Sequence, residues 1–271
     1  RDLHSFPTRR SSDLNAGGER VAPVGADDWF AAQRMFPFRS LDIHGLTTSA
    51  AAHAAAMPSA PGIQAARQPV GPTNIGGRIT DLVASPTQAN TVFAGAATGG
   101  VWRSTDAGAT FSSVWSPTIT PSIGALAITP NGTLYAGTGE SNPGGGSTTF
   151  PGGGVFRSTD SGASWQSLGL TGTDRIGRIA IDPANSSRVF VAAAGNPFVP
   201  GGQRGLYRTV DGGANWTLVL AGANSNTGAV DVAVSPTNPN RVYAAMWDHR
   251  RAPNGRVYSV QIGRASCRER V

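Results

Sequence analysis

The sequence has no lysine: all 22 of its basic residues are arginine. Arginine codons are GC-rich and lysine codons AT-rich, so a GC-rich genome accounts for the bias. Apart from the two ends the arginines are scattered, unlike the basic face or arm of a nucleic-acid binder, so no nucleic acid is expected as a partner. The single cysteine is Cys267. His44, His53 and His249 lack the spacing of metal ligands, so neither metal nor cofactor is expected. No apolar run approaches the roughly 18 residues of a membrane helix, which excludes a helical membrane span. Charged residues make up only 14% of the chain, whereas glycine and proline number 36 and 19. That density of backbone breakers excludes a helical bundle or a long coiled coil and suits short strands joined by many turns.

The ends stand apart from the rest. Residues 1–14, RDLHSFPTRRSSDL, match residue for residue the conceptual translation of a common short-read sequencing adapter. Residues 262–271, IGRASCRERV, match its reverse complement. The alternative is a pair of natural arginine-rich tails. Segments of this kind are set aside from fold reasoning, as tags are. Doing so halves the formal net charge of +6 and removes the cysteine. A cysteine-free remainder fits a bacterial protein secreted without disulfides. The expectation is a gene fragment, cut at both ends, that would aggregate or open if made as residues 15–261, because a few blades cannot close a ring.

Between the ends runs a repeat of about fifty residues. GVWRSTDAGATF (100–111), GVFRSTDSGASW (154–165) and GLYRTVDGGANW (205–216) share one pattern, with aspartates at Asp106, Asp160 and Asp211. Each repeat also has an aliphatic strand ending in proline: ITDLVASP (79–86), IGALAITP (123–130), IGRIAIDP (176–183) and AVDVAVSP (229–236). An aromatic-plus-alanine strand follows each proline. Four strands per unit, here A to D, at this period are the signature of β-propeller blades. Strand A is apolar on both sides, as expected of a strand buried on both faces. The fold class read from the sequence is therefore all-β, a propeller of about three and a half four-stranded blades with a short, partly helical N-terminal segment. The domains expected are 1–14 adapter-like, 15–68 N-terminal extension with short helix and linker, 69–261 blades, and 262–271 adapter-like.

The repeats resemble the bacterial-neuraminidase or Asp-box repeat, S-x-D-x-G-x-[ST]-[WF]. The copies differ only where Thr209 replaces serine and Asn215 replaces serine or threonine. Each box is read as a hairpin tip between strands C and D. Asp106, Asp160 and Asp211 accept turn amides, Gly108, Gly162 and Gly213 supply a backbone angle other residues resist, and Phe111, Trp165 and Trp216 plug the blade. Residues 71–259 further resemble secreted bacterial sortilin-like or glycosyl-hydrolase-like repeat proteins, through GPTNIGGRITDL, YAGTGESN and RVYAAMWDHRRAPNG. Members also carry an upstream phrase like Asp28-Trp29-Phe30-Ala31-Ala32-Gln33-Arg34. The resemblance implies a propeller outside the cell but little about activity, because Asp boxes occur in enzymes and non-enzymes alike.

Chain direction places the boxes at the C–D tips, away from the mouth formed by the D–A and B–C connections. Mouth candidates for ligand binding are Arg78, Glu140, Asn142, Trp247, Asp248, His249 and Arg250, with Thr98, Asp174, Arg175 and Asn196 beside them. Polar loops there are also what solvation alone predicts. Glycosidases need two carboxylates across the scissile bond, and Glu140 with Asp248 is the one candidate pair. The sialidase F/Y-R-I-P phrase is absent. The stretch resembling the xyloglucanase phrase ARTDVGG reads AGAATGG, with Ala97 where the catalytic aspartate would stand. No G-x-S-x-G elbow is present, and GTGESN departs from the dinucleotide fingerprint at Asn142. Arg178 and Asp231, at equivalent places in adjacent strands A, are expected to pair near the axis. The expected function is a secreted binding or scaffold propeller recognising protein or glycan, non-catalytic in these residues. The alternative is a glycoside hydrolase with catalytic carboxylates partly elsewhere.

Overall fold

The computed structural model describes residues 77–141 and 150–249, the backbone of 261–268, and the helical positions Ser49, Ala52 and Ala56 within the alanine-rich stretch. The expected N-terminal extension and the first adapter-like segment otherwise lie outside the described residues.

The described chain is almost entirely β, in four antiparallel sheets that follow one another in sequence. The first contains β1 (Ile79–Ala84), β2 (Val92–Ala96), β3 (Gly100–Ser104) and β4 (Ser112–Ser113). The second contains β5 (Ile123–Ile128), β6 (Leu134–Thr138), β7 (Val155–Ser158) and β8 (Gln166–Ser167). The third contains β9 (Ile176–Ile181), β10 (Val189–Ala193), β11 (Gly205–Thr209) and β12 (Thr217–Leu220). The fourth has three strands, β13 (Thr227–Val234), β14 (Arg241–Asp248) and β15 (Gln261–Arg268). Each sheet is a meander, and the first strands of successive sheets pack side by side. This is the blade arrangement of a β-propeller.

β15 begins at Gln261 and runs through the segment that the sequence sets apart from the repeat. Its ladder to β14 pairs Asp248 with Gln261 and Arg241 with Arg268. Such a ladder is made by the main chain, and an open strand edge offers it to any extended segment.

Side chains alternate along strand A, so the two middle sheets each feed two seams. Between sheets one and two lie Phe93, Val101, Ile123, Leu126 and Leu134. Ala125, Ala127 and Tyr135 turn the other way, against Ile176, Ile179, Val189 and Val191 of sheet three. The third seam packs Phe190, Ala192 and Leu206 against Val232, Val242, Ala244 and Met246. The strands approach closely enough to require glycine at Gly124, where a Cβ would lie 1.9 Å from the Ile176 carbonyl oxygen. Near the axis, Arg178 donates to Asp231 at 3.2 Å, the expected pair, and also to Asp81 at 3.4 Å. Asp81 in turn accepts the Leu126 amide, so this polar cluster joins all four sheets.

Candidate functional site

The three box turns share one bonding scheme. In each, Ser104, Ser158 or Thr209 donates its hydroxyl to the carboxylate of Asp106, Asp160 or Asp211 at 2.6, 2.7 and 2.6 Å. The same hydroxyl oxygen accepts the amide of Gly108, Gly162 or Gly213. The residue four places after the aspartate donates both its amide and its side chain to the two carboxylate oxygens. Asn215 does this with Nδ2 at 2.8 Å, replacing the hydroxyl of the other copies. Gly108, Gly162 and Gly213 sit at φ of +93°, +89° and +101°. The hydroxyl of Ser104, with that of Thr110, holds the exposed Asp106 carboxyl at about 2. Ser164 and Ser158 hold Asp160 at about 2, and Thr209 with Asn215 drives Asp211 below the usual carboxylate range. A carboxylate with both oxygens engaged by its own turn has little capacity left for chemistry on a substrate.

The boxes also clasp neighbouring blades. Trp165 donates its indole N–H to the Val114 carbonyl of the preceding sheet at 2.8 Å, and Trp216 repeats this to Leu168 at 2.9 Å. In return, the strand C arginine of the earlier sheet reaches the residue after the next box aspartate. Arg103 donates to the Ser161 carbonyl and Arg157 to the Gly212 carbonyl, each at 3.2 Å. Phe111 has no N–H to offer and is 41% exposed.

At the opposite end, the structure brings several mouth candidates together. Arg78, just before β1, pairs with Glu140, which follows β6 of the next sheet. Glu140 is 4% exposed. Burial pushes its carboxyl up, and the charges of Arg78 and then Arg175 pull against that. Arg175, buried before β9, lies 5.8 Å over the Phe198 ring. Glu140 thus pairs with the Arg78 guanidinium of sheet one and lies near enough to Arg175, at the start of sheet three, to feel its charge. A second group gathers at the end of β14. Trp247 and His249 stack at 4.0 Å with 4° between their planes, and Asp248 accepts from Asn224 Nδ2 at 2.8 Å. Asn196 is half-buried and accepts the Phe198 amide at 2.9 Å, and Thr98 is exposed. Asn142 and Arg250 lie outside the described residues. Ala97 is 4% exposed, with its amide donated to the Arg78 carbonyl.

Sequence reasoning passes over Arg204. It is 6% exposed and donates to the carbonyls of Gly201, Ala194, Asn226, Val199 and Asn196. Burial lowers its pKa, while Asp174 and Asp248 oppose that shift. Gly195, at φ +78°, leaves room for it, because a Cβ there would lie 2.4 Å from Arg204 Cγ. Arg204 therefore fixes the loop between β10 and β11 at the mouth. A lone arginine closing a loop of glycine, proline and asparagine is the signal that could have found it.

Among the described residues, no group of three or more histidine, cysteine, aspartate or glutamate side chains could hold a metal ion.

No protein-family model matches the chain, and no curated protein matches it. Among solved structures it is similar to an ancestral GH74 enzyme, with a TM-score of 0.53, 24% identity, 69% of this chain covered and 24% of that one. It also resembles the GH74 enzyme of Niastella koreensis (TM-score 0.49, 20% identity, 67% and 30% covered) and YCF48 bound to a D1 peptide (0.41, 16%, 66% and 50%). The chain thus spans about a quarter of the ancestral enzyme. At this identity the likeness is one of fold, and the architecture it supports is that of a β-propeller.

Proposed function

We propose that the chain is part of a secreted Asp-box propeller that binds protein or glycan at its mouth without catalysing a reaction on it. The observation that carries this is the pairing of Arg78 and Glu140 across two consecutive sheets, within reach of the charge of Arg175 from the third, with 44% of the Arg78 side chain open to solvent. Fixed charges on rigid strand ends orient a polar ligand without spending binding energy on ordering the site. Two features favour binding over hydrolysis. Ala97, which can act as neither acid nor base, stands where the resemblance to the xyloglucanase phrase would put an aspartate. Both members of the candidate carboxylate pair are also engaged, Glu140 by Arg78 and Asp248 by Asn224.

One observation favours the alternative of a glycoside hydrolase: burial raises the Glu140 pKa, the direction a general acid needs. A screen of polysaccharides and peptides against the 271-residue chain, with product release monitored, separates the two. Retention without turnover, weakened by Arg78→Ala, is the expected result. Turnover abolished by Glu140→Gln would replace the binding role with the enzymatic one.

A further inference from the structure

A groove of about 750 Å³ runs along the outer rim of the seam between sheets one and two, apart from the mouth cluster. It is open, and its volume lies within the range of small-molecule sites. Three rings line it. Trp115 meets Trp165 at 4.7 Å and 61°, and Phe156 at 5.6 Å and 77°, both edge to face. All three rings are half-buried, so part of each stays open to solvent.

The two indoles are fixed in place. Trp165 is held by its bond to Val114. Trp115 donates its N–H to the Thr120 carbonyl at 3.0 Å and packs against Gly100, where any Cβ would lie 2.6 Å from it. With both N–H groups committed to the backbone, the rings have only their apolar carbon surfaces to offer. Around them stand hydroxyls, among them Ser116, Thr118 and Ser164, and every lining residue is uncharged. Ser116 and Thr118 bond each other at 2.8 Å, which leaves lone pairs and a donor for a third hydroxyl.

The repeat itself does not demand this arrangement. At the next seam, where Trp216 bonds Leu168 as Trp165 bonds Val114, the residue after Leu168 is Gly169 rather than tryptophan. A partly exposed aromatic cluster in a chain with 7% aromatics is surface that solvation alone does not select.

We propose that this groove binds a neutral oligosaccharide. A pyranose presents an apolar face of C–H groups bounded by hydroxyls, which matches rigid aromatic surfaces bounded by hydroxyls. The absence of charge from the lining removes any attraction for an ionic ligand and leaves no desolvated charge opposite a neutral one. The site is independent of the mouth.

Isothermal titration of the 271-residue chain with cellohexaose, laminarihexaose and mannohexaose tests the assignment, with tryptophan fluorescence as a second signal. At least one sugar is expected to bind saturably in the millimolar range. Trp115→Ala is expected to weaken it about tenfold or more, as loss of a central aromatic anchor does. Thr118→Glu changes only the exposed rim and is expected to weaken binding without shifting the melting temperature, which covers the case in which Trp115→Ala loosens the seam. Groove binding is read by its loss in Thr118→Glu and mouth binding by its loss in Arg78→Ala, so failure here and failure at the mouth are distinguishable. No saturable binding of any of the three sugars would overturn the proposal. So would sugar binding insensitive to both groove variants, or fluorescence and heat signals that only a proline-rich decapeptide produces.

Discussion

Trp165→Phe tests whether the box aromatics act as clasps between blades. The substitution keeps a ring in the same place and removes the N–H that reaches Val114 at 2.8 Å. The Val114 carbonyl accepts no other bond from the backbone or side chains described above. Its residue is half-buried, so water recovers part of the loss, and the net cost of the bond is about 1 kcal/mol. The edge contact with Trp115 shrinks with the smaller ring, and such contacts are worth about 0.5–1.5 kcal/mol beyond burial. Together these predict a loss of about 1–2 kcal/mol, which in a domain of this size lowers the melting temperature by roughly 3–6 °C. Thermal unfolding followed by circular dichroism at fixed protein concentration reads the shift. Trp216→Phe should match it, because its bond to Leu168 is equivalent at 2.9 Å. The reciprocal change Phe111→Trp should be neutral within about 0.5 kcal/mol, since Phe111 is exposed and no sheet precedes its own among the described residues. If Trp165→Phe leaves the melting temperature unchanged, or if Phe111→Trp shifts it as much, the clasp is not a source of stability.

The remaining predictions concern charge. The box carboxyls have folded pKa values below their unfolded ones, with Asp106 and Asp160 at about 2. Their contribution is complete above the unfolded value near 4 and disappears as pH falls towards 2. Melting temperature should therefore fall through about pH 4 to 2, and less steeply in Asp160→Asn than in the parent. At the mouth, Arg78→Met should raise the already elevated Glu140 pKa further, because it removes the main charge opposing burial. A carboxyl whose folded pKa is raised favours the folded state when protonated, so the cost of Arg78→Met should be larger at neutral than at mildly acidic pH. The double variant Arg78→Met with Glu140→Gln should recover much of that cost, because an uncompensated buried carboxylate is worse than no ion pair. Equal melting temperatures for the single and double variants would rule this out.

The blade pattern was legible because it is written in spacing. Strand A ends in proline, strand C begins with glycine, and both recur with the turn between them, so element type and order follow from local rules. Burial was less legible, because a repeat position is buried by its neighbour rather than by its own residue. Leu82 occupies the place held by Leu126, Ile179 and Val232, which are 2%, 4% and 5% exposed, yet Leu82 is 59% exposed. Tyr243 is 46% exposed where Phe93, Tyr135 and Phe190 are at most 2%. At the mouth, the chain path gave the end at which Arg78, Glu140 and Asp248 would lie. It did not give the partner of each, because pairing across sheets depends on blade rotation, which no single strand encodes. The role of Asp81 was hidden for the same reason: its equivalent in sheet two is Ala125, and only the packed axis brings Arg178 within reach of both Asp81 and Asp231.

The exclusive use of arginine acquires a structural meaning in this frame. A guanidinium carries five donors in a rigid plane and keeps its charge when buried. Several of the described arginines use this against main-chain oxygens. Arg103 and Arg157 hold box turns across seams, and Arg204 gathers five loop carbonyls. Arg188 joins Asp182 at 2.6 Å to the Pro239 carbonyl of the next sheet at 2.8 Å. A lysine at these positions would offer a point charge with three donors and could not span two acceptors held apart in one plane. A propeller whose turns leave many carbonyls unpaired therefore absorbs much of its positive charge into its own backbone. Among the described mouth arginines, Arg78, half-exposed and paired with a buried glutamate, keeps a face turned to solvent. That difference in use, more than the count of arginines, supports the proposal of a binding end opposite the box turns.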